Sequence, residues 1–293
     1  MKAPDRAGSW NVEDIRIAAA QINCPVGKFR ENIAKHRDYA LRAARAGARI
    51  VCFPETSLSG YPESDGVPRE IAQPLTGELG QAMAELSAEA GLMILAGLVE
   101  SDVSGVLYNT QLVAGSGRLL GAYRKSHVGC SEIHRFSHGD HFPLFSCGKT
   151  TFGIQICYDV HFAEMSRILA LRGAEVIFAP YASSDPCNPD GHASKRARWL
   201  KYQPARAFDN SLYLVAVNQV GHSGQLDFPG TTLVYDPVGE VMAEAKPMVE
   251  DLLIVDLPAA ALEKKRGDAL QFFTYSRRPE LYGELSRPVR ADV

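Results

Sequence analysis

The chain is expected to fold in the α/β class, with layers of helix covering sheet. Three observations predict this. Short apolar runs of β type alternate with stretches of helical periodicity along most of the sequence. The strand runs are apolar on both sides of the pleat, as strands covered on both faces are. No Pro- or Ser-rich linker and no low-complexity block divides the 293 residues, a length that suits one large domain with a substantial core. One domain over 1–293 is therefore expected, with its core at about 13–258 and a C-terminal extension over 259–293, since termini order only when tied down.

In order along the chain, IRIAAAQI (15–22) reads as a first strand. FRENIAKHRDYALRAARAGA (29–48) has apolar positions at helical spacing and stops near Gly47, so it reads as a helix. ARIVCF (48–53) is a second strand, and EIAQPLTGELGQAMAELSAEAG (70–91) is mostly helical. LMILAGLVE (92–100), YNTQLVAG (108–115) and LLGAYRKS (119–126) are strands, the last two joined at Gly-Ser-Gly (115–117), a hairpin signal. TFGIQIC (151–157) is a strand ending at Cys157, FAEMSRILALRGA (162–174) a helix and EVIFAPY (175–181) a strand. ASKRARWLKYQPARAFDN (193–210) is helical with an interruption at Pro204, and SLYLVAVNQV (211–220) is a strand. TTLVYDPVGEVMAEA (231–245) is a hairpin turning at Asp236–Gly239, and DLLIVDL (251–257) closes the regular part.

Composition narrows the function classes. A net charge of −3 gives no reason to expect nucleic acid or an anionic membrane as partner. The six cysteines are scattered without a CxxC pair, and several sit in apolar runs, which reads as reduced thiols in a cytoplasmic protein. MKAPDRAGSWNVED is polar, so no signal peptide is evident. GLMILAGLV (91–99) falls far short of the ~20 residues a membrane span needs.

Few stretches can carry chemistry. In GIQICYDVHF (153–162) Cys157 ends an apolar run and is followed by polar Asp159 and His161 before a helix. A strand end opening into a helix is where α/β proteins place reactive groups, although a core thiol is the plain alternative. In VCFPETSLSGYP (51–62) Pro54 stops the strand and holds Glu55 at a sheet edge. In GAYRKSHVG (121–129) Lys125 alternates with Tyr123 and His127, which puts the three on one face. SEIHRFSHGDHFPLF (131–145) contains Glu132, His134, His138 and His141, but its Gly139 and Pro143 speak for a loop rather than for a helical metal site. The GKT at 148–150 fails as a phosphate loop because Pro143 occupies the required upstream glycine position.

Taken together, these stretches resemble the nitrilase, or carbon–nitrogen hydrolase, superfamily. FPETSLSGYP supplies Glu55, YRKSHV supplies Lys125 and GIQICYDVHFAE supplies Cys157, in the family's order. EIHRFSHG matches a further glutamate motif with Glu132 and Gly139, although His138 stands where proline is usual. PARAFDN (204–210), VAVNQVG (215–221) and FPGTTLVYDPVGEV (228–241) also follow the family run, so the resemblance covers residues 15 to 257. It implies a four-layer α-β-β-α sandwich, pairing through helices into a homodimer or higher homo-oligomer, and no metal or organic cofactor.

The resemblance also implies chemistry. Glu55 would take the proton of Cys157, the thiolate would attack a carbonyl carbon, and Lys125 with the Tyr158 N–H would hold the oxyanion. Glu132 would orient Lys125 and substrate. Tyr158-Asp159 after the cysteine, rather than the Trp-Glu of nitrile-cleaving members, favours an amidase or N-carbamoyl amidohydrolase over a nitrilase. His161 stands where many such enzymes carry arginine. Candidate substrate-binding residues are Tyr61, Tyr158, His161, Tyr181, Ser183 and Ser184, with loop 183–192 shaping the pocket. A small-molecule amide or carbamoyl compound is the expected partner. A non-catalytic scaffold of the same fold and a metallo-hydrolase on the histidine-rich loop are the rival readings.

Overall fold

A computed structural model describes residues 12–64, 66–129 and 131–287. In its first half the order is β1 (Ile15–Gln21), α1 (Phe29–Arg45), β2 (Ile50–Cys52), α2 (Val67–Ile71), α3 (Glu78–Ala90), β3 (Met93–Ser101), β4 (Leu107–Gly115) and β5 (Arg118–Arg124). The second half runs β6 (Phe145–Cys147), β7 (Thr150–Ile154), α4 (Ala163–Leu171), β8 (Val176–Tyr181), α5 (Pro189–Trp199), α6 (Gln203–Asn210) and β9 (Tyr213–Asn218). It ends with β10 (Val220–Ser223), β11 (Leu226–Pro229), β12 (Leu233–Tyr235), β13 (Val241–Glu244), β14 (Asp251–Leu257) and α7 (Ala259–Gly267).

The strands form two six-stranded sheets, β14-β1-β2-β3-β4-β5 and β13-β12-β9-β8-β7-β6, and β10 and β11 make a separate ribbon. Each sheet has parallel strands at its centre, β1-β2-β3 in one and β7-β8-β9 in the other, flanked by antiparallel ones. Pleat alternation builds the layers. Ile17 and Ala19 of β1 pack between the sheets, together with Leu95, Phe152 and Phe178. Ala18 and Ala20 face the other way, onto Tyr39 and Ala40 of α1 and Leu79 and Met83 of α3. Strands covered on both faces need no polar alternation, which is why they are continuously apolar. The result is the four-layer α-β-β-α sandwich.

Several elements differ from the sequence reading. The 70–91 stretch is two helices: α2 begins earlier, and Pro74 lies in the break before α3. Pro204 does not interrupt a helix. It sits in the first turn of α6, where its missing N–H costs nothing, and the break falls at residues 200–202. Loop 183–192 ends earlier than expected, because Asn188 Oδ1 caps α5 by accepting from the Gly191 N–H at 2.8 Å. Strands β6, β10 and β11, only three or four residues each, were not anticipated.

Packed structure continues beyond residue 258. Leu262 of α7 is buried in the core, and Arg266 donates to the carbonyls of Ser211 and Ala174. The aromatic segment after it packs on its own chain, with Phe272 buried and Thr274 accepting from Arg167 at 3.1 Å. The expectation that the first 12 residues lie outside the core falls almost wholly outside the described residues, as does Cys130.

Candidate active site

The C-terminal ends of the parallel strands meet at one end of the sandwich, where open α/β sheets present ligand sites. After β2, Phe53 N–H still donates to Leu95 O at 2.8 Å, but Pro54 has no N–H and the chain leaves the ladder. Glu55 therefore lies beyond the end of an interior strand, not at the sheet edge that its sequence context suggested. The turn passes so close to β3 that a Cβ at Gly97 would sit 2.1 Å from the Thr56 nitrogen.

Lys125 follows β5, which runs parallel to β3, so it emerges at the same end. Its N–H donates to Asn109 O, and its carbonyl accepts from Gly139, each at 2.8 Å. Only glycine fits at 139, where a Cβ would meet the Arg124 carbonyl oxygen at 2.1 Å. This contact folds the 131–139 loop back and brings Glu132 to Lys125.

Strand β7 ends at Ile154, so Cys157 is not its last residue. Gln155 N–H donates to Phe178 O at 3.0 Å, and the chain then turns. Cys157 adopts φ +48°, uncommon for a residue with a Cβ, and opens a single 3₁₀ turn to His161. Buried Asp159 holds this turn. Its Oδ2 accepts from Ile156 N–H at 2.9 Å and from the Tyr123 hydroxyl at 2.7 Å. Its Oδ1 accepts from His127 N–H at 2.9 Å and lies 2.8 Å from His127 Nδ1. One carboxylate thus joins the cysteine turn to the lysine segment, and Tyr123 and His127 both face it, as their alternation with Lys125 implied.

At the centre one ammonium serves two carboxylates. Lys125 Nζ donates to Glu55 Oε1 at 2.8 Å and to Glu132 Oε2 at 2.7 Å. All three side chains are buried. Glu55 is held from every side: Asn109 Nδ2 donates to its Oε1 at 2.7 Å and Ala182 N–H to its Oε2 at 2.7 Å. Glu132 accepts from the Tyr61 hydroxyl at 3.0 Å and the Gly129 N–H at 3.2 Å.

The electrostatics separate the two carboxyls. Burial raises Glu55, Lys125 opposes, Glu132 adds to the rise, and the balance leaves Glu55 above the ordinary carboxylate value. Burial also pushes Glu132 up, but the Lys125 charge and the bonds from Lys125, Gly129 and Tyr61 bring it below that value. Burial works against the Lys125 charge, and the two carboxylates overcome it, holding the ammonium well above the usual lysine value. At Cys157 burial and the Glu55 charge push the thiol well up, with Lys125 pulling the other way.

Lys125, Glu132 and Cys157 line a cavity of about 660 Å³ together with Tyr61, Tyr158, Ser183 and Ser184. Glu55 lies buried behind it. Two expected pocket residues do not line it. His161 stacks on Tyr202 at 4.2 Å, because Arg206 of α6 grips the Val160 and His161 carbonyls and turns this end of the 3₁₀ segment away. Tyr181 ends β8 facing the outer helices, packed on Trp199 with its hydroxyl accepting from Gln203 Nε2 at 2.9 Å. Asn109, Asp159 and the Ala182 N–H were not anticipated. Among the described residues no three His, Cys, Asp or Glu side chains group as metal ligands. His138 Nδ1 instead lies 2.8 Å from Ser126 O and His141 Nδ1 2.7 Å from Asp140 Oδ1.

Known proteins bear on this arrangement. The carbon–nitrogen hydrolase family model matches residues 16–266. A nitrilase of Pyrococcus abyssi is 31% identical over 92% of this chain and 99% of its own. The omega-amidase NIT2 of Homo sapiens is 31% identical over 93% of this chain and 99% of its own. An amidase of the nitrilase superfamily from Nesterenkonia superposes with a TM-score of 0.76 at 27% identity, covering 92% of this chain and 95% of that one. With Lys125, Glu132 and Cys157 lining one cavity and Glu55 buried behind it on this fold, the chain belongs to the carbon–nitrogen hydrolase family.

Proposed function

We propose that the protein hydrolyses a small carboxamide or N-carbamoyl compound through a thioester on Cys157. The observation that carries this reading is the Lys125 ammonium bonded to both Glu55 and Glu132 beside the Cys157 cavity. Glu55 accepts the thiol proton as sulfur bonds to the carbonyl carbon, and Lys125 and the Tyr158 N–H stabilise the oxyanion. The carbon–nitrogen bond then breaks, Glu55 returns the proton to nitrogen, and ammonia or an amine leaves. Water attacks the thioester with its proton passing to Glu55, the carbon–sulfur bond breaks, and the thiol recovers that proton as the product departs. Glu132 keeps Lys125 oriented and does not transfer protons. A carboxyl raised towards neutrality suits the double role of Glu55. In support, a variant of the Nesterenkonia amidase carries the acetamide moiety of fluoroacetamide on its active-site cysteine.

Ammonia and carbon dioxide release from carboxamides, N-carbamoyl amines and nitriles distinguishes the branches, run beside Cys157→Ala. Ammonia alone from carboxamides marks an amidase, and stoichiometric carbon dioxide from N-carbamoyl substrates marks a carbamoylase. Acid formed from nitriles in preference to amides would overturn the reading.

A further inference from the structure

Lys195 is a second buried cation behind the cavity wall, and the mechanism above does not use it. It lies on α5 with a side chain only 3% exposed. Its Nζ donates to Ser183 Oγ at 2.7 Å and to the Ser184 carbonyl at 2.8 Å, and lies 2.9 Å from Asp185 Oδ2. These three acceptors use all three ammonium protons. Burial lowers the Lys195 pKa from the usual lysine value, and the bond to Asp185 works against that fall.

An ammonium can only donate, so Ser183 Oγ must accept from it. The Ser183 hydroxyl proton then has to point elsewhere. Among the described residues no acceptor receives it, while Ser183 itself lines the Cys157 cavity. The backbone at this point is clamped as well. Ser183 N–H donates to Asn218 Oδ1 at 2.9 Å, and Asn218 Nδ2 donates to Ser183 O at 3.2 Å. A hydroxyl fixed this way is a preorganised donor, stronger for the charge behind it.

We propose that Lys195 makes Ser183 a dedicated hydrogen-bond donor into the cavity, so that the enzyme selects amides bearing a carbonyl or carboxylate oxygen beyond the scissile carbon. Ser183 is then a specificity-determining residue and Lys195 a positioning residue acting through it. This rests on reading the cavity as an amide-hydrolysing site.

The test compares kcat/KM for levulinamide, glutaramate and valeramide, which share chain length and differ in the distal acceptor. The enzyme is expected to favour levulinamide, glutaramate or both over valeramide by about tenfold or more, the scale of one good hydrogen bond. Preference for levulinamide alone assigns the acceptor as a carbonyl, and for glutaramate alone as a carboxylate. Ser183→Ala should collapse the ratio to valeramide. Lys195→Met should do the same, and Lys195→Arg, which keeps a charged donor, should recover part of it. A merely structural defect would lower all three substrates together and leave the ratio intact. The proposal is overturned if the wild type shows no preference, if it hydrolyses none of the three, or if both Ser183→Ala and Lys195→Met keep the wild-type ratio. Retained hydrolysis in Cys157→Ala would instead overturn the underlying amidase reading.

Discussion

Lys125 concentrates the energetics of the site in one side chain. Its single ammonium pairs with two buried carboxyl groups, and removing one partner of a buried pair leaves charge without compensation. Lys125→Met is expected to lower unfolding free energy by about 3–5 kcal/mol at neutral pH, measured by urea titration. The deficit should shrink as pH falls, because protonated carboxyls no longer need the cation. In the native protein Glu132 has a lowered value, so its contribution is present above its unfolded value and is lost as pH drops through the folded one. Glu55 behaves in the opposite sense. In the proposed mechanism its raised carboxyl must be ionised to accept the thiol proton, so activity should rise with pH along a limb above the ordinary carboxylate range. A pH profile of kcat/KM whose acid limb stays within that ordinary range would contradict this role. Asp159→Asn offers a further check at this scale. The amide can accept through one atom only, so some of the bonds to Ile156, Tyr123 and His127 are lost. We expect kcat to fall by about ten- to a hundredfold while the protein remains folded, as for other supporting shells around reactive groups.

Strand ends and the turns after them do most of the positioning. Gly97 lets the 53–56 segment cross β3, so Gly97→Val should displace Glu55. Activity should then drop much further than thermal stability, and equal losses in both would argue for a general packing fault. Phe178 belongs to the layer between the sheets, with its ring edge-on to Phe152 at 5.3 Å. Phe178→Ala is expected to cost about 3–5 kcal/mol by denaturant titration. At this scale the long two-sided apolar strands were legible, because burial on both faces leaves an unbroken pattern. The short strands β6, β10 and β11 were not, since three or four residues define no period. Cys157 looked like a strand residue because Ile156 continues the alternation of Ile154 towards it, yet β7 has already ended at Ile154. Glu55, Lys125, Glu132 and Cys157 were legible because each stands beside a local signal, a strand stop or a motif. Asn109 and Asp159 were not. Their roles come from partners 54 and 36 residues away; Asp159 stood out only as half of the Tyr158-Asp159 pair, which says nothing of its bonds to Tyr123 and His127. His161 and Tyr181 misled because nearness in sequence to the site does not fix which way a side chain faces.

Two sheets bring their strand ends together only when the whole sandwich closes, so the site is a property of the full fold. Glu55 and Lys125 come from one sheet, Cys157 and the Ala182 N–H from the other, and the bond from Ala182 to Glu55 crosses between them. Activity and global folding should therefore be lost in one transition. Assembly into a homodimer or larger homo-oligomer, implied by the family resemblance, is checked by sedimentation velocity, and a lone monomer at every concentration would remove that expectation. Among the described residues no helix is long and apolar enough to cross a membrane. The central claim is that hydrolysis passes through an acyl group on Cys157. Its most direct test is intact-protein mass spectrometry after acid quench during turnover of an amide, followed by peptide mapping. The expected result is an added acyl mass on the Cys157 peptide, absent in Cys157→Ala, which also releases no ammonia. Turnover that persists in Cys157→Ala, or an adduct on a different residue, would contradict the account.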